Sequence, residues 1–306
     1  MFSILQVAVS EGLLWSLMAV GVFYTFRILN MPDLSVEGTL ILGAGLAARL
    51  IANGGNPFVA TLLAICIGAA GGFVTGILHT KLKIPSILAG ILTMVGSYSV
   101  ALRVMSQPNI PLNRWRTFSV FAAFENLLGS LGIAVSYDTI VIIFSVIVAI
   151  AIGVLLYCFA GTEIGSAMRA SGNNLQMVKA QGVNTNAMIV LCLMISNGLV
   201  GLSGALIAQY QGFAVVTMGA GTIVAGLAAV VIAEVLFKFR SFWGRLISIA
   251  LGSIIYRLVI ALVLELGMNP NDLRLLTAIT VAVALVLPQT RDWLKRLFGK
   301  VRGGAS

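Results

Sequence analysis

Residues 138–186 read DTIVIIFSVIVAIAIGVLLYCFAGTEIGSAMRASGNNLQMVKAQGVNTN, and the fold follows from the contrast between the two parts of this passage. The first part, residues 138–160, is almost wholly apolar. At about 1.5 Å per residue it is long enough to cross the roughly 30 Å hydrocarbon core of a bilayer as a helix. The second part, residues 161–186, is the longest polar interval with a helical pattern in the chain. Thr162 is placed to cap a helix that opens with Glu163, a carboxylate favoured at the positive helix end, and Gly172 to stop it as the residue just past its C-terminus. Asn174 can then start a second helix that ends at Gly182. Ile164, Ala167 and Met168 fall on one face, while Arg169 and Lys179 can turn toward water. The expectation is two short amphipathic helices at a membrane surface, a pattern that any long loop of a polytopic membrane protein could also carry.

Composition extends this reading to the whole chain. Apolar residues make up 59% of 306 residues and charged residues 9%, against about a quarter charged in soluble domains. Apolar runs of membrane-spanning length recur without the alternation of outer-membrane strands, and backbone groups in lipid must be satisfied within the segment. The class is therefore all-α, a polytopic membrane protein forming one transmembrane domain over residues 1–306. Nine segments are expected, at about residues 8–26, 34–53, 56–80, 84–105, 138–160, 187–211, 221–237, 246–265 and 272–289. The first run has no basic stretch before it and no small-residue cleavage site, so it reads as a retained span rather than a signal peptide.

The net charge of +9 points to a membrane and not to nucleic acid, because the basic residues sit at span ends. The tail, residues 290–306, carries Arg291, Lys295, Arg296, Lys300 and Arg302, which fixes the C-terminus in the cytoplasm and, with nine crossings, the N-terminus outside. Thirteen of the 19 lysines and arginines then fall inside, among them Arg27, Arg169, Lys179, Lys238, Arg240 and Arg245. Five fall outside: Arg49, Arg103, Arg114, Arg116 and Arg274. Residues 161–186 are thereby cytoplasmic and residues 106–138 extracytoplasmic. In the latter, Phe118, Phe121 and Phe124 read as a short interfacial helix with its aromatic face on lipid or protein; an outer gate near Trp115 is the functional alternative. Cys66, Cys158 and Cys192 lie in spans and read as packing residues, and the one histidine, His79, leaves no metal site or histidine-based triad to build.

Two glycine-rich strings match. Residues 38–48, GTLILGAGLAA, resemble residues 221–229, GTIVAGLAA, in a segment that runs the opposite way. Paired glycine-interrupted segments of opposite direction mark an inverted repeat with a substrate path between the halves, whereas chance recurrence or close helix packing is the plainer account. The second string begins a short span: residues 223–237 rise only about 22 Å, so the irregular stretch 215–222 is expected to complete the crossing. Glu37, Gly43, Asn197, Gly221 and Gly226 are the candidate path residues, with cross-helix hydrogen bonding the other use of Asn197. Glu37 and Glu234 could also simply reach the inner surface. Arg257 falls close to the middle of its span, where the expectation is an ion pair with a carboxylate such as Glu234 or bonds to broken-helix carbonyls, and lining of the path is the other use.

The run T-E-I-G-S-A-M-R-A-S-G-N-N, then K-A-Q-G-V, resembles the cytoplasmic coupling loop of permease subunits in ABC importers of the branched-chain amino acid and ribose type. That loop reads T-x-x-G-x-x-x-R-A-x-G-x-N, followed by a small residue, a basic residue and G-I. Thr162, Gly165, Arg169, Ala170, Gly172, Asn174, Lys179 and Gly182 stand at matching places, and Leu175, Val178 and Val183 depart from the usual residues. Within the class, residues 30–45, NMPDLSVEGTLILGAG, are most similar to permeases of aromatic, tryptophan-type amino acid systems. The resemblance implies two permease copies forming a central pathway in the cytoplasmic membrane of a prokaryote, with an extracytoplasmic solute-binding protein delivering cargo. It also implies a separate ATPase docked on residues 161–186, with Thr162, Glu163, Gly165, Arg169, Gly172, Asn174, Lys179 and Gly182 as coupling residues; Glu163 and Arg169 either touch the ATPase directly or only hold the two short helices together. No G-x-x-x-x-G-K-[ST] motif is present, so no cofactor is expected on this chain and ATP would be bound by that partner. An ion-coupled secondary transporter is the alternative, since it too uses inverted repeats. An intramembrane enzyme has only the possibility of a serine or carboxylate site behind it.

Overall fold

The apolar runs become helices whose ends follow the local capping residues. The computed structural model describes residues 2–112, 119–130, 132, 136–237, 239, 241–267, 272, 275, 277–280 and 282. In order these form α1 (Phe2–Phe23), continued by a π-helical turn (Tyr24–Ile28), α2 (Ser35–Ala52), α3 (Pro57–Thr80), α4 (Ser86–Met105), β1 (Asn109–Pro111), α5 (Val120–Ser130) and α6 (Tyr137–Gly161). Then come α7 (Glu163–Asn173), α8 (Leu175–Ala180), α9 (Thr185–Gln211), β2 (Phe213–Val215), a 3-10 turn (Val216–Gly219), α10 (Thr222–Leu236) and α11 (Phe242–Glu265). Among the described residues 8 helical stretches are long and apolar enough to cross a membrane, and they coincide with the first eight expected spans. Most of the ninth, residues 272–289, lies outside the described residues, as do the tail 290–306, Trp115, Phe118, Lys238, Arg240 and Arg274.

Helix α9 is the axis, with α1, α2 and α3 around it. α1 runs antiparallel to it, since Ser203 Oγ donates to the Leu14 carbonyl and Ser196 Oγ to the Gly21 carbonyl, at 2.8 and 2.7 Å. α3 also runs antiparallel, and α2 parallel. Small residues set the spacing: a Cβ added at Gly43 of α2 would land on the backbone of Gly201, and one at Gly201 on the carbonyl of Ala64 in α3. Three helices therefore meet at one backbone-to-backbone contact, the arrangement that small residues permit between membrane helices. The outer helices α3, α4 and α6 turn apolar residues such as Leu62, Val95 and Ile150 outward, as lipid contact requires. Cys192 is buried in the core as expected, but Cys66 and Cys158 lie on exposed surfaces and not in packing.

Expectation and structure differ in α2. The glycines of residues 38–48 do not interrupt it; the helix is continuous from Ser35 to Ala52, because Gly38 and Gly43 serve close approach to α4 and α9 rather than a bend. The break precedes the helix. Ser35 and Thr39 bond Asn197, which stands midway along α9, so α2 begins level with the middle of the bundle. α10 likewise starts inside, after β2 and the 3-10 turn re-enter, with Gly221 in the left-handed region at φ 81°. The two helices start together and run to opposite ends, α2 toward β1 and β2, α10 toward the end of α1. This is the inverted relation that the repeated strings suggest.

At the far end, β1 and β2 form one antiparallel pair with Ile110 opposite Ala214, the only departure from all-α among the described residues. α5 lies beside it with its face on protein: Phe121 is fully buried and meets Phe144 edge to face at 5.3 Å. The buried Gln209 holds α5 in place, its Oε1 accepting from the Val120 amide at 3.0 Å while its Nε2 donates to Thr61.

Replacing Gly43 by Val is expected to push α2 from α9 and cost about 1–3 kcal/mol or more as overpacking. Gly96→Ala, where nothing lies within 4 Å of an added Cβ, is expected to be neutral. Size-exclusion yield and Tm of the two purified variants check this.

Candidate functional site

The polar hairpin of residues 161–186 forms as its caps dictate. Thr162 Oγ1 accepts from the Gly165 amide at 3.1 Å and starts α7. Asn174 Oδ1 accepts from the Met177 amide at 3.0 Å and starts α8. Gly182, at φ 83°, turns the chain out of α8, and Asn184 Oδ1 caps α9 by accepting from Ala187 at 3.1 Å. Glu163 sits exposed in the first turn of α7, and Lys179 exposed in the last turn of α8.

Three details correct or sharpen the sequence reading. Gly172 does not end α7; it lies within the helix, where an added Cβ would fall on the Ile28 carbonyl. Its smallness lets α7 close on the π-helical turn after α1. Arg169 is exposed as expected but not free, because its Nη2 donates to the Ala160 carbonyl at 2.8 Å and so caps the end of α6. The buried face is Gly165, Met168 and Ser171, with Ile164 outside it. Met168 enters the core with Tyr24, Leu29 and Leu193. The hairpin is thus fixed to α1, α6 and α9, while Ile164, Leu175 and Met177 remain 46–48% exposed on its outer surface. Isolated exposed apolar residues are ordinary; these three are spread over the hairpin, Ile164 in the first turn of α7 and Leu175 and Met177 two residues apart on α8.

A second constellation lies level with the middle of α9. Asp33 Oδ1 accepts from the Ser35 amide at 2.9 Å and from Ser35 Oγ at 2.6 Å. Asn197 Nδ2 donates to Asp33 Oδ2 at 2.8 Å, and Thr39 Oγ1 donates to Asn197 Oδ1 at 2.7 Å. All four residues are buried. In this structure the Asn197 side chain is buried and bonded to Asp33, Ser35 and Thr39, holding α2 on α9, the cross-helix use. Asp33 was missed; its position two residues before Ser35, ahead of an apolar run, is the capping signal that could have found it.

The other candidate path residues divide. Gly43 is closed against Gly201, and Gly226 against Met18 and Val22 of α1, so both are packing positions. Glu37 and Gly221 border open space: Glu37 is half-buried, Gly221 exposed, and Glu37 Oε1 accepts from the Gly221 amide at 2.9 Å. That bond ties the start of α2 to the start of α10.

The buried-charge expectation holds in kind, since Arg257 pairs with a carboxylate, and is corrected in the partner. Arg257 does not pair with Glu234. Its Nη1 lies 3.1 Å from Glu11 Oε2 and its guanidinium 4.1 Å above the Trp15 ring, both on α1. Glu234 pairs with Arg27 at the end of α1. The reason is depth: Glu234 lies about 18 Å down α10 from its start, whereas Glu11 faces Arg257 across the antiparallel contact of α1 with α11.

Asn197→Leu would leave Asp33 Oδ2 without its partner, at about 1–3 kcal/mol for a stranded buried group, while Thr39 keeps its bonds to the Ser35 and Val36 carbonyls. The expected outcome is a lowered Tm and yield of the purified chain. A change confined to the uptake KM, with Tm unaltered, would instead make Asn197 a solute contact.

Comparison with known proteins agrees with this architecture. A family model described as branched-chain amino acid transport system / permease component matches residues 3–286. The chain is 40% identical over 292 residues to the tyrosine transport system permease protein of Clostridioides difficile (strain R20291), covering 95% of this chain and 94% of that one. It is 30% identical over 294 residues to an uncharacterized protein of Rickettsia prowazekii (strain Madrid E), covering 95% and 99%. To the ribose import permease protein RbsC of Escherichia coli (strain K12) it is 25% identical over 280 residues, covering 90% and 83%. No solved structure matches the chain. With the match spanning nearly every residue and all eight described spans, the chain belongs to the family of branched-chain amino acid transport system permease components.

Proposed function

We propose that this chain is the membrane subunit of an ATP-driven importer for a small solute, an amino acid and specifically an aromatic one such as tyrosine. The observation that carries the reading is the α7–α8 hairpin. It is hydrogen-bonded to the end of α6 and packed against the turn after α1 and the start of α9, and it presents Ile164, Leu175 and Met177 outward. A push on such a hairpin moves spanning helices instead of bending a loop. The ATPase is a separate subunit, binds the nucleotide, and docks on this face, with Glu163 and Lys179 at its margin. ATP binding there biases a two-state pathway by contacting the hairpin differently in its two conformations.

The remaining parts follow from the same reading. Two copies of the chain form the pathway, and a solute-binding protein delivers cargo at the opposite end, where β1, β2 and α5 lie. The membrane is the cytoplasmic membrane of a prokaryote, with the hairpin and basic tail inside and the N-terminus outside. The name of the tyrosine permease relative supports the cargo class.

The test uses exposed positions, because a larger residue at Gly165 or Gly172 would displace α7 itself. In liposomes holding the chain, its ATPase and its binding protein, Leu175→Glu with Met177→Glu is expected to cut ATP-driven uptake at least ~10-fold, the loss of an apolar hot spot of about 1.4 kcal/mol or more. Tm and yield of the chain should stay unchanged. Uptake at the wild-type rate would remove the hairpin from this role. Uptake driven by an ion gradient without any ATPase would favour an ion-coupled carrier, with the buried Asp33 carboxyl as the first group to examine.

A further inference from the structure

A cavity of about 460 Å³ opens between α1, α10 and α11, lined by Trp15, Gly221, Thr222, Ala225, Tyr256 and Arg257. Its size falls in the roughly 300–1,000 Å³ range of small-ligand sites. Its walls are mostly apolar, but two buried donors there have no partner among the described residues: Arg257 Nε and Trp15 Nε1. Buried donors are almost always satisfied, so an orphan beside a cavity asks for an explanation. Arg257 spends Nη1 on Glu11 and leaves the Nε side of its planar fork unused, the side on which a guanidinium can take a carboxylate through two parallel hydrogen bonds. α10 also begins at this cavity. Its N-cap is Gly221, and Glu37 Oε1 accepts from the Gly221 amide at 2.9 Å, so the carboxylate of Glu37 is offset by the positive helix end and adds no unbalanced charge to the space.

The charges narrow the ligand. Arg257 and Glu11 form a pair that is neutral overall, partly accessible at 16% and 25% of their side chains. A plain anion brought to it would leave one unbalanced negative charge in an apolar wall, and a plain cation one positive charge. A zwitterion adds none. The aromatic rings of Trp15 and Tyr256, the latter fixed by its hydroxyl donating to Thr277 Oγ1 at 3.0 Å, offer faces for an apolar side chain.

We propose that this cavity is an intramembrane binding site for a zwitterionic α-amino acid, its carboxylate taken by Arg257 Nε and Trp15 Nε1–H once those side chains turn toward the cavity and its ammonium beside Glu11. The site is a way station between the binding protein and the far side, and it rests on the reading of the chain as an amino acid permease. Arg257 and Trp15 are then solute contacts, and Glu11 both orients Arg257 and completes the charge balance.

The purified full-length chain, without ATPase or binding protein, is heated with L-phenylalanine, with phenethylamine, which lacks the carboxylate, or with 3-phenylpropionate, which lacks the ammonium. The expected result is a rise in Tm with L-phenylalanine alone. Arg257→Lys keeps the charge but loses the fork, and Ala225→Leu fills the cavity without touching the ion pair. Each is expected to weaken L-phenylalanine binding about tenfold or more, the contribution of a charge-assisted pair, and to slow uptake by the full complex to match. No wild-type response, an equal response to either truncated compound, or undiminished binding in Ala225→Leu would overturn the site. The two readings fail separately: ATP-driven amino acid uptake that persists in both variants removes the cavity and leaves the importer. Absence of such uptake by the wild-type complex removes the importer, while binding to the chain alone still decides the cavity.

Discussion

A helix that starts inside a membrane must find partners for its first amides within the protein, and two carboxylates meet that requirement here. Asp33 accepts from the Ser35 amide at the start of α2, and Glu37 accepts from Gly221 at the start of α10. Without water, an unpaired amide at that depth costs several kcal/mol, so these bonds fix where both helices begin. Asn197 then anchors the first of them to the middle of α9. The bundle is in effect two helices pinned at their inner ends to each other and to a central column.

That pinning depends on how closely the column can be approached. Gly43, Gly201 and Ala64 bring three backbones together, and a Cβ added at Gly43 would land on the Gly201 carbonyl oxygen, so α2 would have to move outward and stretch its bonds to Asn197. The small residues therefore act through the polar network as much as through dispersion. Glycine-rich composition, which looked like a sign of broken helices, is here a sign of tight ones, with the irregular backbone confined to residues 29–34 and 213–221 just ahead of them.

The hairpin shares this logic. Gly172 lets α7 close on the π-helical turn at the end of α1, and Arg169 reaches back to the last carbonyls of α6. α1 in turn carries Glu11 and Trp15, which hold Arg257 of α11. One helix thus touches both the surface where a partner would push and the cavity at the start of α10. A displacement of α1 along its axis would be felt at both places, which gives the two regions a physical connection through a single rigid element.

Much of this was legible in residue order because membrane helices are chosen by local rules. Apolar length gave eight spans to within a few residues, and Thr162, Asn174 and Gly182 gave the hairpin its caps, since a cap bonds an amide two or three residues away. The matching glycine-threonine strings gave the paired, oppositely running helices. What local rules do not contain is which side chains stand at the same depth. Arg257 could be assigned a carboxylate from its position in a span, yet whether that was Glu11 or Glu234 depended on the antiparallel register of α1 with α11. Asn197 could be a solute contact or a strut until Asp33, 164 residues away, was seen to meet it. The sequence by itself determined that this chain crosses a membrane as helices and where they start and stop, because those are properties of neighbouring residues. Only the tertiary structure decided which polar groups satisfy one another and which, beside the cavity at α10, are left unsatisfied, because pairing at depth is set by how helices slide against each other.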